Sequence, residues 1–188
     1  MEEKITWLNL RKALKNLPPE QLLELLKGLY DLSPQNKAWL QRQLFPIPNT
    51  EYLEECRQKV IKAVYNPTRK SPDMPKFREA KKVITEYKNA AKDPVGILDL
   101  MLTYVERGHA FTNDFGDIDE PFYDAICTML DRFAEQLKAH PAASTLYKER
   151  FRARLLKMSR TADIGWGYGD FVHDTVGDLE AKFGDQKN

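Results

Sequence analysis

Cysteine is scarce in this 188-residue chain: only Cys56 and Cys127 occur. Each falls inside a predicted helix with no second cysteine beside it, which fits a reducing compartment better than a disulfide framework, with the cytoplasm as the expected location. An excess of one charge is missing too, since 29 Lys and Arg face 28 Asp and Glu. No global field pulls the chain towards nucleic acid or anionic lipid, so any charge-driven partner must be met by a local patch. Long apolar runs are absent: no segment approaches the roughly eighteen uncharged residues of a membrane span. The opening MEEKITWLNLRKAL begins with acids where a secretory signal would be basic and then apolar. No membrane partner is expected. Period-two alternation and Val-, Ile- and Thr-rich segments are also lacking, which argues against a sheet.

What is present is helical spacing. Leu22, Leu25, Leu26 and Leu29 follow i, i+3, i+4, i+7, and Phe122, Ile126, Met129, Leu130, Phe133 and Leu137 form a continuous stripe. Both stripes are expected to pack on a core. Prolines punctuate the chain where helices should start or be separated, among them Pro18, Pro34, Pro46, Pro48, Pro67, Pro75, Pro94, Pro121 and Pro141. The expected class is all-α. About nine helices are predicted, over 4–16, 19–31, 34–44, 50–65, 75–91, 94–109, 119–139, 143–160 and 169–183. Ser33-Pro34 and Asp93-Pro94 read as N-cap plus first-turn proline. PVGILDLMLTYVERG is apolar nearly all round and should be the central helix. Short connections favour antiparallel pairs in one domain over 1–188, as an irregular helical bundle or a short solenoid-like (HEAT-like) stack. Residues 66–77, NPTRKSPDMPKF, read as a basic, proline-rich loop, and 184–188 as a frayed tail.

Four groups of residues carry candidate chemistry. The stretch FTNDFGDIDEPFYD clusters Asp114, Asp117 and Asp119 near Glu106, oxygen ligands of the type a hard cation takes. Gly116 precedes Asp117 and Asp119, the reverse of the EF-hand order, so a helix cap competes with a metal site and none is favoured. Glu106-x-x-His109 and Asp170-x-x-His173 each place a carboxylate and an imidazole on one helical face, the spacing of di-iron bundles. No acid embedded in an apolar stripe is evident to complete such a site. Arg150, Arg154 and Lys157 share a helix face, and with Arg69, Lys70 and Lys76 of the loop they form a candidate phosphate or nucleic-acid surface. In the glycine-rich stretch before the last helix, Trp166 and Phe171 are expected to lock that helix onto the core, while an exposed Trp166–Tyr168 pair could instead anchor a protein partner. No catalytic nucleophile with a neighbouring base emerges, and no cofactor is implied.

LLKGLYDLS, FREAKKVITEYK, LMLTYVERGHAFTNDFGDIDEPFYDA and GWGYGDFVHDTV, taken together, resemble a family of small uncharacterised bacterial proteins classed as a domain of unknown function. The resemblance covers most of the chain. Its most specific part is YVE-x-G-x-x-FTNDFGDIDEPFY. It implies a cytoplasmic, all-helical bacterial protein and supplies no catalytic residue. The resulting expectation is a non-enzymatic helical interaction module or accessory subunit with a protein partner. Binding of nucleic acid or a phosphate ligand comes second, and a metal-dependent enzyme built on the 106–120 region third.

Overall fold

The computed structural model describes residues 5–44, 49–69, 73–165 and 167–184, and all the regular structure among them is helical. The chain divides into two compact units, Met1–Ile47 and Pro48–Asn188, where one domain was expected. Pro46 and Pro48 fall at the division in the sequence, outside the described residues.

The first unit holds α1 (Trp7–Lys15), α2 (Pro19–Leu32) and α3 (Pro34–Leu44). Thr6 caps α1 by accepting from the Asn9 N–H at 3.4 Å. Ser33 Oγ accepts from the Asn36 N–H at 3.1 Å, the cap that Ser33-Pro34 predicted. Asn36 also donates to the Leu29 carbonyl at 2.7 Å, which ties α3 back to α2.

The second unit holds α4 (Asn49–Val64), α5 (Phe77–Ala91), α6 (Pro94–Phe115) and α7 (Glu120–Ala139). A continuous stretch follows, made of α8 (Ala143–Leu146), a π turn (Tyr147–Phe151) and α9 (Arg152–Ser159), and then α10 (Tyr168–Phe183). With that stretch taken as one helix, each of the nine expected helices is found among the described residues. α6 is the centre of a helical bundle: it packs on α4, α5 and α7, and thirteen of its residues are buried. An apolar surface on every side requires neighbours on every side. The α7 stripe from Phe122 to Leu137 is buried as expected.

Two details depart from the sequence reading for physical reasons. α6 does not stop at His109. Phe111 and Thr112 are buried on the next turn, and the helix ends instead at Gly116, whose φ of 86° is readily open only to glycine. Gly108, which resembles a terminator, lies where a Cβ would run into the buried Ile126 side chain, so it permits close approach of α6 and α7. The π turn answers a spacing problem. The buried residues Ala143, Tyr147, Phe151 and Leu155 recur every fourth position, which drifts ahead of a 3.6-residue turn, and one wide turn brings them back onto a single face.

Candidate functional site

The acidic corner is built from its caps outward. Asp119 accepts from the Phe122 N–H at 3.0 Å and so caps α7 behind Pro121. Asp117 accepts from the Tyr123 hydroxyl at 2.8 Å, and Tyr123 also lies 2.7 Å from the Thr112 hydroxyl. Thr112 in turn donates to the Gly116 carbonyl at 2.9 Å. Asp114 accepts from the Tyr65 hydroxyl at 2.5 Å. Each of the three aspartates thus has its own hydroxyl or backbone partner. No group of three His, Cys, Asp or Glu residues placed to hold a metal occurs among the described residues.

Glu106, the fourth candidate ligand, is held elsewhere. Arg154 forks onto its two oxygens at 2.8 and 2.6 Å, and a further N–H reaches Asp99 at 2.7 Å. Arg57 of α4 donates to the other Asp99 oxygen at 3.0 and 2.7 Å. Two carboxylates of α6 are therefore shared by arginines of α4 and α9, with side chains only 16% to 30% exposed. Burial works against the Arg154 charge, but Glu106 and Asp99 outweigh it and hold the pKa above its ordinary value. The three-residue face of Arg150, Arg154 and Lys157 is accordingly split: Arg154 turns inward, while Arg150 and Lys157 remain exposed. Asp99 is the acid within an apolar helix that the sequence reading missed; Glu106 was named there as a candidate cation ligand, and here both acids face arginines.

His109 is buried among polar groups. Its Nδ1 is 2.9 Å from the Tyr168 hydroxyl, and its Nε2 is 2.8 Å from Thr161 Oγ1 and 2.9 Å from the Asn113 amide. Tyr168 is buried on His109 and Tyr123, so it locks α10 to the bundle and offers no exposed anchor; Trp166 lies outside the described residues. His173 meets Ser159 Oγ at 2.9 Å. Burial lowers the His109 pKa, opposed in part by the Glu106 charge. With the folded value below the unfolded 6.5, the contribution is complete above 6.5 and is lost as pH falls through the folded value. The urea midpoint should therefore drop between about pH 7 and pH 5.5, and His109→Gln should flatten that drop. An equal drop in both proteins would assign it to other groups.

Of the basic loop residues, Arg69 and Lys76 line one cleft together with Lys59 and Lys62 of α4, whereas Lys70 lies outside the described residues. Burial pushes the Cys127 thiol up to about 11, which keeps it protonated at neutral pH.

The largest departure from expectation is in the first unit. The stripe of α2 does not reach a core: Leu25, Leu26 and Leu29 are 50%, 44% and 52% exposed, and neither α1 nor α2 has a buried residue. Eleven of the thirteen exposed large hydrophobics among the described residues belong to residues 5–44. The unit carries more base than acid: residues 5–44 have six Lys and Arg against three Asp and Glu, and α1 has no acid. One of those three acids, Asp31, is engaged by Lys27, with Lys37 at 3.9 Å. No protein-family model, curated protein or solved structure matches this chain, so its function has to be read from the geometry of its own residues.

Proposed function

We propose that the chain is a non-enzymatic interaction module that docks an amphipathic helix of a partner protein on the leucine face of α2. The observation that carries this is the concentration in the first unit of exposed large apolar side chains, eleven of the thirteen among the described residues. Helices draw most of their stability from packing an apolar face, and a contiguous exposed face of this kind marks an interaction site. Leu22, Leu25, Leu26 and Leu29 present the spacing that a helical ligand reads, and the basic charge balance of residues 5–44 favours acidic residues flanking the ligand's own apolar stripe.

The four leucines Leu25, Leu26, Leu29 and Leu32 expose the equivalent of about two whole side chains on this face. At ~1.5–3 kcal/mol for each fully buried leucine, they can supply much of the affinity of a micromolar complex. Leu25→Asp with Leu29→Asp should therefore weaken docking by at least about a hundredfold. Circular dichroism of the second unit's helices should not change. Quantitative affinity capture from the producing cells, with wild type and variant side by side, reads this. A partner held by the wild type and lost by the variant supports the proposal. A partner held equally by both, or none enriched over background, overturns it. Sedimentation showing the wild type dimeric and the variant monomeric would also overturn it, by assigning the face to a second copy.

A further inference from the structure

A second site stands on different residues. The end of α4 and the start of α5 enclose a cleft of about 330 Å³, within the range of small-molecule sites. Lys59 and Lys62 reach it from α4, one turn apart on the same face, while Cys56, Val60 and Val64 take the core face. Lys76 and Arg69 approach from the loop. Four cations thus meet two carboxylates, Asp73 and Glu79, and Asp73 is occupied by Arg69 at 3.6 Å. Among the described residues no ion pair engages Lys59, Lys62 or Lys76. Ala63, Val83 and Met74 supply the apolar part of the remaining wall, beside Asn66, and Met74 is 56% exposed.

We infer that this cleft binds a small organic phosphate: the three lysines take the dianionic ester, and the apolar wall with the adaptable Met74 side chain takes the organic body. Lysine ammonium groups suit phosphate as compact point charges that approach from several directions. An apolar wall beside them distinguishes an ester with an apolar or aromatic body from the bare anion. Arg150 and Lys157 do not line the cleft, so the site is narrower than a basic helix face and different in composition.

Calorimetric titration of the full chain with phenyl phosphate, adenosine diphosphate and inorganic phosphate, at low and at physiological salt, tests the assignment. Phenyl phosphate or the nucleotide should bind saturably and more tightly than inorganic phosphate, and binding should weaken as salt rises. Lys59→Ala with Lys62→Ala should weaken it by at least about tenfold, because two charge-assisted contacts are lost. Arg150→Ala with Lys157→Ala should leave it unchanged. No saturable binding at low salt overturns the inference, as does binding that ignores the α4 lysines. Equal affinity for inorganic phosphate overturns the role given to the apolar wall. Capture by phosphatidic acid vesicles, with no binding of the soluble esters, would assign the phosphate to a membrane and overturn the small-molecule reading.

Discussion

Arg154→Ala is expected to lower the unfolding midpoint of the second unit by roughly 5–10 °C, about 2–3 kcal/mol. The reason lies in what the substitution leaves behind. Arg154 contributes an Nε and two terminal nitrogens to Glu106, Asp99 and the Thr103 hydroxyl, and Arg57 reaches only the far side of Asp99. Without Arg154, Glu106 stays partly buried and loses both of its arginine hydrogen bonds, and Asp99 retains one arginine of two. Removing one partner from a fully buried pair costs about 3–5 kcal/mol, and the 16% to 27% exposure of these side chains reduces that by admitting water. Arg154→Lys should recover only part of the loss, because a single ammonium cannot replace the fork. Arg154→Met combined with Glu106→Gln and Asp99→Asn should recover more, since no uncompensated charge is left beside α9. If Arg154→Ala unfolds with the wild-type midpoint, the arginine is a surface group and the network has no structural role.

Gly169→Ala and Gly177→Ala should move stability in opposite directions although both lie in α10. A Cβ on Gly169 would come closer than 3.0 Å to the Ala162 carbonyl oxygen, which is backbone and cannot rotate away. The start of α10 would have to move off the 161–165 segment and take Tyr168 away from His109. Overpacking of this kind costs about 1–3 kcal/mol, and the lost hydroxyl contact adds about 1 kcal/mol, for a midpoint lowered by roughly 5–10 °C. Gly177 has nothing within 4 Å of its Cβ position. There, alanine removes backbone freedom from the unfolded chain and should stabilise by about 0.5–1 kcal/mol. Chemical denaturation of the two variants beside wild type separates the cases. Equal effects would mean that the approach of Gly169 to Ala162 does not constrain the fold.

Much of the architecture was legible because it depends on local chemistry. Ser33, Asp93 and Asp119 cap because a short oxygen-bearing side chain before a first-turn proline satisfies free N–H groups whatever the tertiary surroundings. α6 could be placed at the centre because helical residues that are apolar on all sides have no solvent face to offer. The candidate sites were less legible, since side-chain partners come from distant segments. Arg154 and Glu106 are 48 residues apart, Tyr65 and Asp114 are 49, and His109 and Tyr168 are 59. A row of basic residues on one helix does not reveal which member finds a carboxylate across the bundle.

The contrast between the two leucine- and phenylalanine-rich stripes marks the boundary most clearly. Periodicity established that α2 and α7 each have an apolar face, because spacing at 3.6 residues per turn is a property of the chain alone. It could not establish what covers that face. α7 found α6, whose Gly108 admits close approach, and its stripe is buried; the leucines of α2 found no core and remain exposed. The sequence by itself determined an all-helical chain, its main helix starts and its central helix. Only the tertiary structure decided that the acids of the 114–119 corner are capped or paired with tyrosine hydroxyls, that Arg154 is an internal counter-ion, and which apolar face stays open. Those outcomes depend on which groups meet in space, and free energy is set there by desolvation and pairing.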